Sequence, residues 1–148
     1  VRVLLQRVAR ASVRVRGELV AEIGHGLLLL VASGRGDAED DVERLAEKIA
    51  TLRVFEDADG KMNLGLGDVA GEILVVPQFT LYGEVRKGRR PSWDAAAPPD
   101  VAAERVEALA RALEARGIGV RRGAFREHMA VELVNDGPVT LWLDPATW

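Results

Sequence analysis

Residues Leu27 to Ala32 are apolar without a break, and no polar side chain among them marks a face toward water. A half-exposed strand alternates between apolar and polar residues, whereas a strand that does not alternate has to be buried on both faces. Ile73 to Val76 repeats the pattern, so two such strands are expected. Val1 to Val8 is apolar enough for another strand. Val13-Arg14-Val15-Arg16 alternates, Gly17-Glu18 turns the chain and Leu19 to Ile23 returns, which reads as a hairpin. Met129 to Val134 and Val139 to Leu143 complete the set. Two helices are expected between them. One carries Val42, Leu45, Ala46 and Ile49 on a single face, with Asp37 as its N-cap. The other follows Pro98-Pro99, carries Val106, Leu109, Ala110 and Leu113, pairs Glu107 with Arg111 on its outer side and stops at Gly117. Groups of strands, each followed by a helix, define an α+β chain with a mixed or antiparallel sheet.

The 148 residues suit one domain, spanning 1–148, with a real core. No apolar run is long enough to cross a bilayer, no signal peptide opens the chain, and the cytoplasm is the expected location. The absence of cysteine excludes disulfides, thiol catalysis and cysteine-bound zinc. A net charge of −3 argues against a general nucleic-acid coat. The arginines are unevenly spread, however. Arg2, Arg7, Arg10, Arg14 and Arg16 precede the first acid, and Arg86, Lys87, Arg89 and Arg90 form a second group. Arg116, Arg121, Arg122 and Arg126 form a third. Such grouping fits either a basic face for phosphates or ordinary solvated strand faces.

The familiar catalytic signatures are missing. His25 and His128 lack metal-ligand spacing, and neither a nucleophile elbow nor a phosphate-binding glycine loop is present. Asp57-Ala58-Asp59-Gly60 is a turn, not a calcium loop, because the closing Glu is absent. No metal and no cofactor are expected. An enzyme with so few titratable groups would rely on main-chain donors, a hydroxyl and a bound water. Substrates already activated, such as esters, suit that equipment.

Two short segments narrow the reading. Asn135-Asp136-Gly137-Pro138-Val139-Thr140 places Gly, which lets other groups come close, before Pro, which fixes the backbone. Such a pair can present carbonyl oxygens at a set angle, although Asp-Gly alone also fits a hairpin turn. Val76-Pro77-Gln78-Phe79-Thr80-Leu81 carries a buried strand directly into polar residues. Together the two segments resemble the paired motifs of the D-aminoacyl-tRNA deacylases. The similarity extends along the chain through Gln6-Arg7-Val8, Ala11-Ser12-Val13, Ile23-Gly24-His25-Gly26-Leu27-Leu28, Phe55-Glu56-Asp57, Gly60-Lys61-Met62-Asn63-Leu64 and Lys87-Gly88-Arg89-Arg90-Pro91-Ser92. Two departures stand out. The family usually has Ser where this chain has Pro77, so the Phe79 and Thr80 amides would have to act as oxyanion donors. In the family's Gly-x-Phe-Gly-Ala-x-Met stretch, Arg126 and Glu127 replace two small residues.

The resemblance implies a barrel-like sheet with two main helices and a homodimer. It also implies hydrolysis of the ester joining a D-amino acid, or glycine, to the 3′ end of tRNA. Gln78, Phe79 and Thr80 would form the catalytic segment beside Pro77. Gly137 and Pro138, joined by a cis peptide, would reach into the partner subunit's pocket, hold the α-amino group and exclude L side chains. Arg7 would brace that pair. Phe125 and Met129 would contact the terminal adenosine. Arg86, Lys87, Arg89 and Arg90 would meet tRNA phosphates. Thr80 would act as a nucleophile or as a positioning group, and the lack of an adjacent base favours positioning. Two rivals are a non-catalytic RNA-binding module and another small esterase acting on peptidyl-tRNA or D-amino-acid esters.

Overall fold

The computed structural model describes all residues from Val1 to Trp148. Strand β1 (Arg2–Val15) runs through the middle of a six-stranded sheet. Its second half pairs antiparallel with β2 (Glu18–Ile23) and its first half with β3 (Gly26–Ala32). Its other edge pairs antiparallel with β8 (Ala130–Leu143). Helix α1 (Asp41–Thr51) and a small hairpin, β4 (Phe55–Glu56) and β5 (Met62–Leu64), follow β3. Strand β6 (Glu72–Pro77) then lies parallel to β3, and β7 (Gly119–Arg122), after helix α2 (Pro99–Glu114), lies parallel to β6. The sheet is therefore mixed. It curls until β2 comes back against β6 and β7, leaving a nearly closed barrel with α1 and α2 packed together on its outside.

This arrangement explains the unbroken apolar runs. Successive side chains of a strand point to opposite faces. Leu27, Leu29 and Val31 of β3, with Ile73 and Val75 of β6, pack against Leu45, Ile49, Leu109 and Leu113 of the helices. Leu28, Leu74 and Val76 point the other way, into a second core with Val8, Val13 and Ile23 inside the curled sheet. One face meets helices and the other meets the barrel interior, so neither can be polar.

Two expectations are corrected. Asp37 does not cap α1; Asp40 occupies the N-cap position and makes no side-chain cap. The Asp37 carboxylate accepts hydrogen bonds from Ser33 Oγ (2.8 Å), the Gly34 amide (2.8 Å) and Tyr82 Oη (3.0 Å), and it lies 2.6 Å from the Val1 ammonium. These partly buried donors outcompete the helix amides for it. The Asn135–Thr140 run is not a hairpin turn either. Both of its flanks belong to β8 and both pair with β1, at Val8↔Asn135 and Gln6↔Thr140. Between those pairs β1 contributes only Arg7, while β8 contributes residues 136 to 139. The surplus residues bulge out of the sheet, with Gly137 and Pro138 exposed at the tip and Val139 turned back into the core.

Candidate active site

Parallel strands β3 and β6 end side by side, and the chain leaves β6 through Pro77 into a 3₁₀ turn, Phe79–Tyr82. The amide of Gln78 donates to Val31 O (2.8 Å), which seats the start of that turn on the end of β3. Beside it opens a cleft of about 680 Å³. Pro77, Gln78 and Phe79 form one wall, and Phe125 and Met129 form another. Thr80 follows directly, exposed, with its Oγ1 accepting from the Gln78 carboxamide. That amide has no useful basicity, and Thr80 hydrogen-bonds to no imidazole, carboxylate or amine. The first amide–carbonyl pair of the turn is Leu81 N to Gln78 O (3.2 Å). The Phe79 and Thr80 amides precede it and have no acceptor within the turn. No group of three or more His, Asp or Glu side chains gathers where it could hold a metal ion.

Sequence reading missed several cleft residues. Trp93 packs edge-on to Phe79 at 5.2 Å between ring centroids and lines the cleft. It follows Pro91-Ser92, inside a loop already matched to a family, and was the aromatic to notice there. Ser33 and His128 also line the cleft. So do Arg126 and Glu127, which make up the second departure. Arg126 adopts φ +62, a left-handed conformation that Gly takes freely, and Glu127 lies 3.4 Å from Arg16. Arg126→Gly is therefore expected to stabilise the fold by about 0.5–1 kcal/mol, a rise of about 2 °C in Tm by differential scanning calorimetry.

Gly137 and Pro138 do not line this cleft. They protrude at the opposite end of the sheet, and the peptide between them is cis. Arg7, which is 4% exposed, sits under them and donates from Nε to Asp136 O (3.0 Å) and from Nη1 to Val54 O (2.7 Å). Asn135 Nδ2 closes the neck of the bulge by donating to Arg7 O (2.9 Å) and Val139 O (3.0 Å). His25 lies against Phe55, 3.8 Å from the Asp136 carboxylate. In register, Arg7 stands opposite Leu27 and Pro77 opposite Val31. That separation is about 13 Å along β3 alone. One chain does not bring the bulge to the cleft.

The basic group lies in the exposed loop after the 3₁₀ turn. The Arg86 guanidinium is committed to Glu84 (Nε to Oε2, 2.7 Å), and this bond holds the Glu84 carboxyl down at about 2. Lys87, Arg89 and Arg90 form no ion pair.

A curled mixed sheet flanked by two helices, with a cleft opening where β6 runs into a 3₁₀ turn, defines an α+β protein of barrel-like form. The D-Tyr-tRNA(Tyr) deacylase family model matches residues 4–144, and the chain belongs to that family. It is 59% identical to the D-aminoacyl-tRNA deacylase of Thermomicrobium roseum, over 98% of this chain and 94% of that one. It is 56% identical to the D-aminoacyl-tRNA deacylase of Heliobacterium modesticaldum, over 97% and 95% respectively. Among solved structures it resembles a c-Myc DNA Unwinding Element Binding Protein, with TM-score 0.89, 36% identity and coverage of 97% of this chain and 98% of that one.

Proposed function

We propose that this protein hydrolyses the ester of D-aminoacyl-tRNA, and of glycyl-tRNA mischarged on tRNA(Ala), releasing free amino acid and tRNA. The observation that carries the reading is the cleft at the end of β6, walled by Pro77, Gln78 and Phe79 and followed directly by exposed Thr80, in a turn whose Phe79 and Thr80 amides have no acceptor within it. The ester carbonyl would sit at the Phe79 and Thr80 amides, which stabilise the oxyanion as water attacks. Thr80 would position that water or the ribose hydroxyl. Phe125 and Met129 supply the apolar wall against which the terminal adenine would stack.

The Gly137–Pro138 bulge would complete the site from a second copy. Two observations support this. The bulge is exposed and remote from its own cleft, and β8 pairs only with β1, which leaves one edge of a fourteen-residue strand open. Exposed Trp142 and Val134 lie on the same strand. An open apolar edge is a template for another chain. In the shared site, the bulge carbonyls would hold the α-amino group and crowd out an L side chain, while glycine would pass. No helix is long and apolar enough to cross a membrane, and the cytoplasm, where tRNAs are charged, is the natural place for this work.

The deciding assay compares D-, L- and glycyl-tRNA, with free D-amino-acid esters alongside. Turnover of D- and glycyl-tRNA with L-aminoacyl-tRNA spared is the expected result. Tight RNA binding without ester loss would instead favour a binding module, and equal turnover of free esters a general esterase. Thr80→Ala should keep measurable turnover; a fall to background with binding of a non-hydrolysable analogue intact would restore Thr80 as nucleophile. KM for tRNA should rise with salt through Lys87, Arg89 and Arg90, by about twenty- to fortyfold between 50 and 200 mM. A salt-insensitive KM would remove these residues from the phosphate path.

A further inference from the structure

The turn that carries Thr80 has only four residues, and 3₁₀ turns this short hold themselves poorly. Its leading residues are exposed. What holds it lies behind. Arg2 Nη1 donates to Leu81 O (3.2 Å), inside the turn, and its guanidinium carbon lies 4.2 Å from the Tyr82 ring centroid. Asp144 anchors Arg2 from the far side, 3.2 Å from its Nε. Tyr82 Oη donates to Asp37, whose other carboxylate oxygen takes Ser33 Oγ and the Gly34 amide. Gly34 lies flat against the Tyr82 ring; a Cβ there would stand 2.3 Å from Cε1. The same two residues hold a further part of the cleft lining: Ala97 N donates to Ser33 O (2.9 Å), and Gly34 bridges to Ala96. Burial first, and the Asp37 charge next, push the Tyr82 pKa up, so its phenol remains a donor.

We infer that Arg2 and Tyr82 are positioning residues for the reacting turn. Arg2 holds Leu81 O and the Tyr82 ring, and the Tyr82 phenol ties the turn to Asp37, so that the Phe79 and Thr80 amides keep a fixed aim across the cleft. This rests on the deacylase reading, since neither residue lines the cleft. Substrate binding uses the walls, whereas oxyanion stabilisation uses the aim of two amides. Loosening the grip therefore lowers kcat and leaves KM nearly alone.

The test is steady-state kinetics of Tyr82→Phe on D-aminoacyl-tRNA, together with amide hydrogen exchange at Gly83, whose N–H closes the turn onto Thr80 O. The expected result is a fall in kcat of about tenfold, KM within about twofold and faster Gly83 exchange. Arg2→Met should behave likewise, and Arg2→Lys, which keeps a cation over the ring, should recover part of kcat. An unchanged kcat in Tyr82→Phe overturns the inference, as does a fall in kcat that disappears once the rate is divided by the folded fraction measured by circular dichroism. Should Tyr82→Phe not fold, the Arg2 pair decides by the same measures. If the unaltered protein shows no deacylation, the deacylase reading fails by itself. The grip is then judged by exchange alone, and unchanged Gly83 exchange in Tyr82→Phe refutes it.

Discussion

Gly137→Ala is expected to lower kcat/KM on D-aminoacyl-tRNA about a hundredfold. Gly137 has φ +128, where side chains other than hydrogen are strained by about 1–3 kcal/mol. A Cβ there would stand 2.7 Å from Arg7 Nη2 and 3.1 Å from Val139 Cγ2. Arg7 cannot retreat easily. It is nearly buried, and its other donors are spent on Asp136 O and Val54 O. The bulge has to tilt instead, and in the proposed shared site its carbonyls would lose their aim at the α-amino group. Circular dichroism should remain native, because the bulge lies outside the ladder and the β1–β8 pairs on either side of it remain. Undiminished turnover would detach Gly137 from the site. A loss of fold would show that the bulge serves the sheet rather than the substrate.

The folding pattern was largely legible because β3 and β6 break the alternation rule, and only a sheet covered on both faces explains that. The helix stripes were equally plain, and Glu107 does pair with Arg111 at 3.3 Å. Asp37 was misleading. An acid before a helix looks like a cap, and nothing in the local sequence shows that Tyr82, forty-five positions later, donates to it. The Gly-Pro bulge was misleading for a related reason. Asp-Gly between two strand-like segments has the local signature of a hairpin, whereas a bulge requires that both flanks pair with the same third strand. Tyr82 and Trp93 were missed because each acts through a neighbour distant in sequence. Local chemistry predicts elements well; it does not say which ends of the sheet two motifs will occupy, and here they occupy opposite ends.

That separation makes the shared site testable by mixing two damaged chains. Phe79→Pro deletes one of the two leading amides at the first position of the turn, where proline's fixed φ is tolerated. Loss of one oxyanion donor should lower kcat about a hundredfold. Gly137→Ala damages the other end of the sheet. In the proposed dimer each variant alone would pair with itself, so every site in it would carry the same defect. When the two are mixed and allowed to exchange subunits, about half of the dimers hold one chain of each kind. In such a dimer one site takes an intact turn from one protomer and an intact bulge from its partner, while the other site carries both defects. About a quarter of the unaltered activity should therefore return on mixing, although neither parent exceeds a few hundredths of it. Analytical ultracentrifugation of the mixture would establish that dimers are the exchanging species. No recovery, with exchange demonstrated, would place turn and bulge in separate functions and remove the second copy from the site.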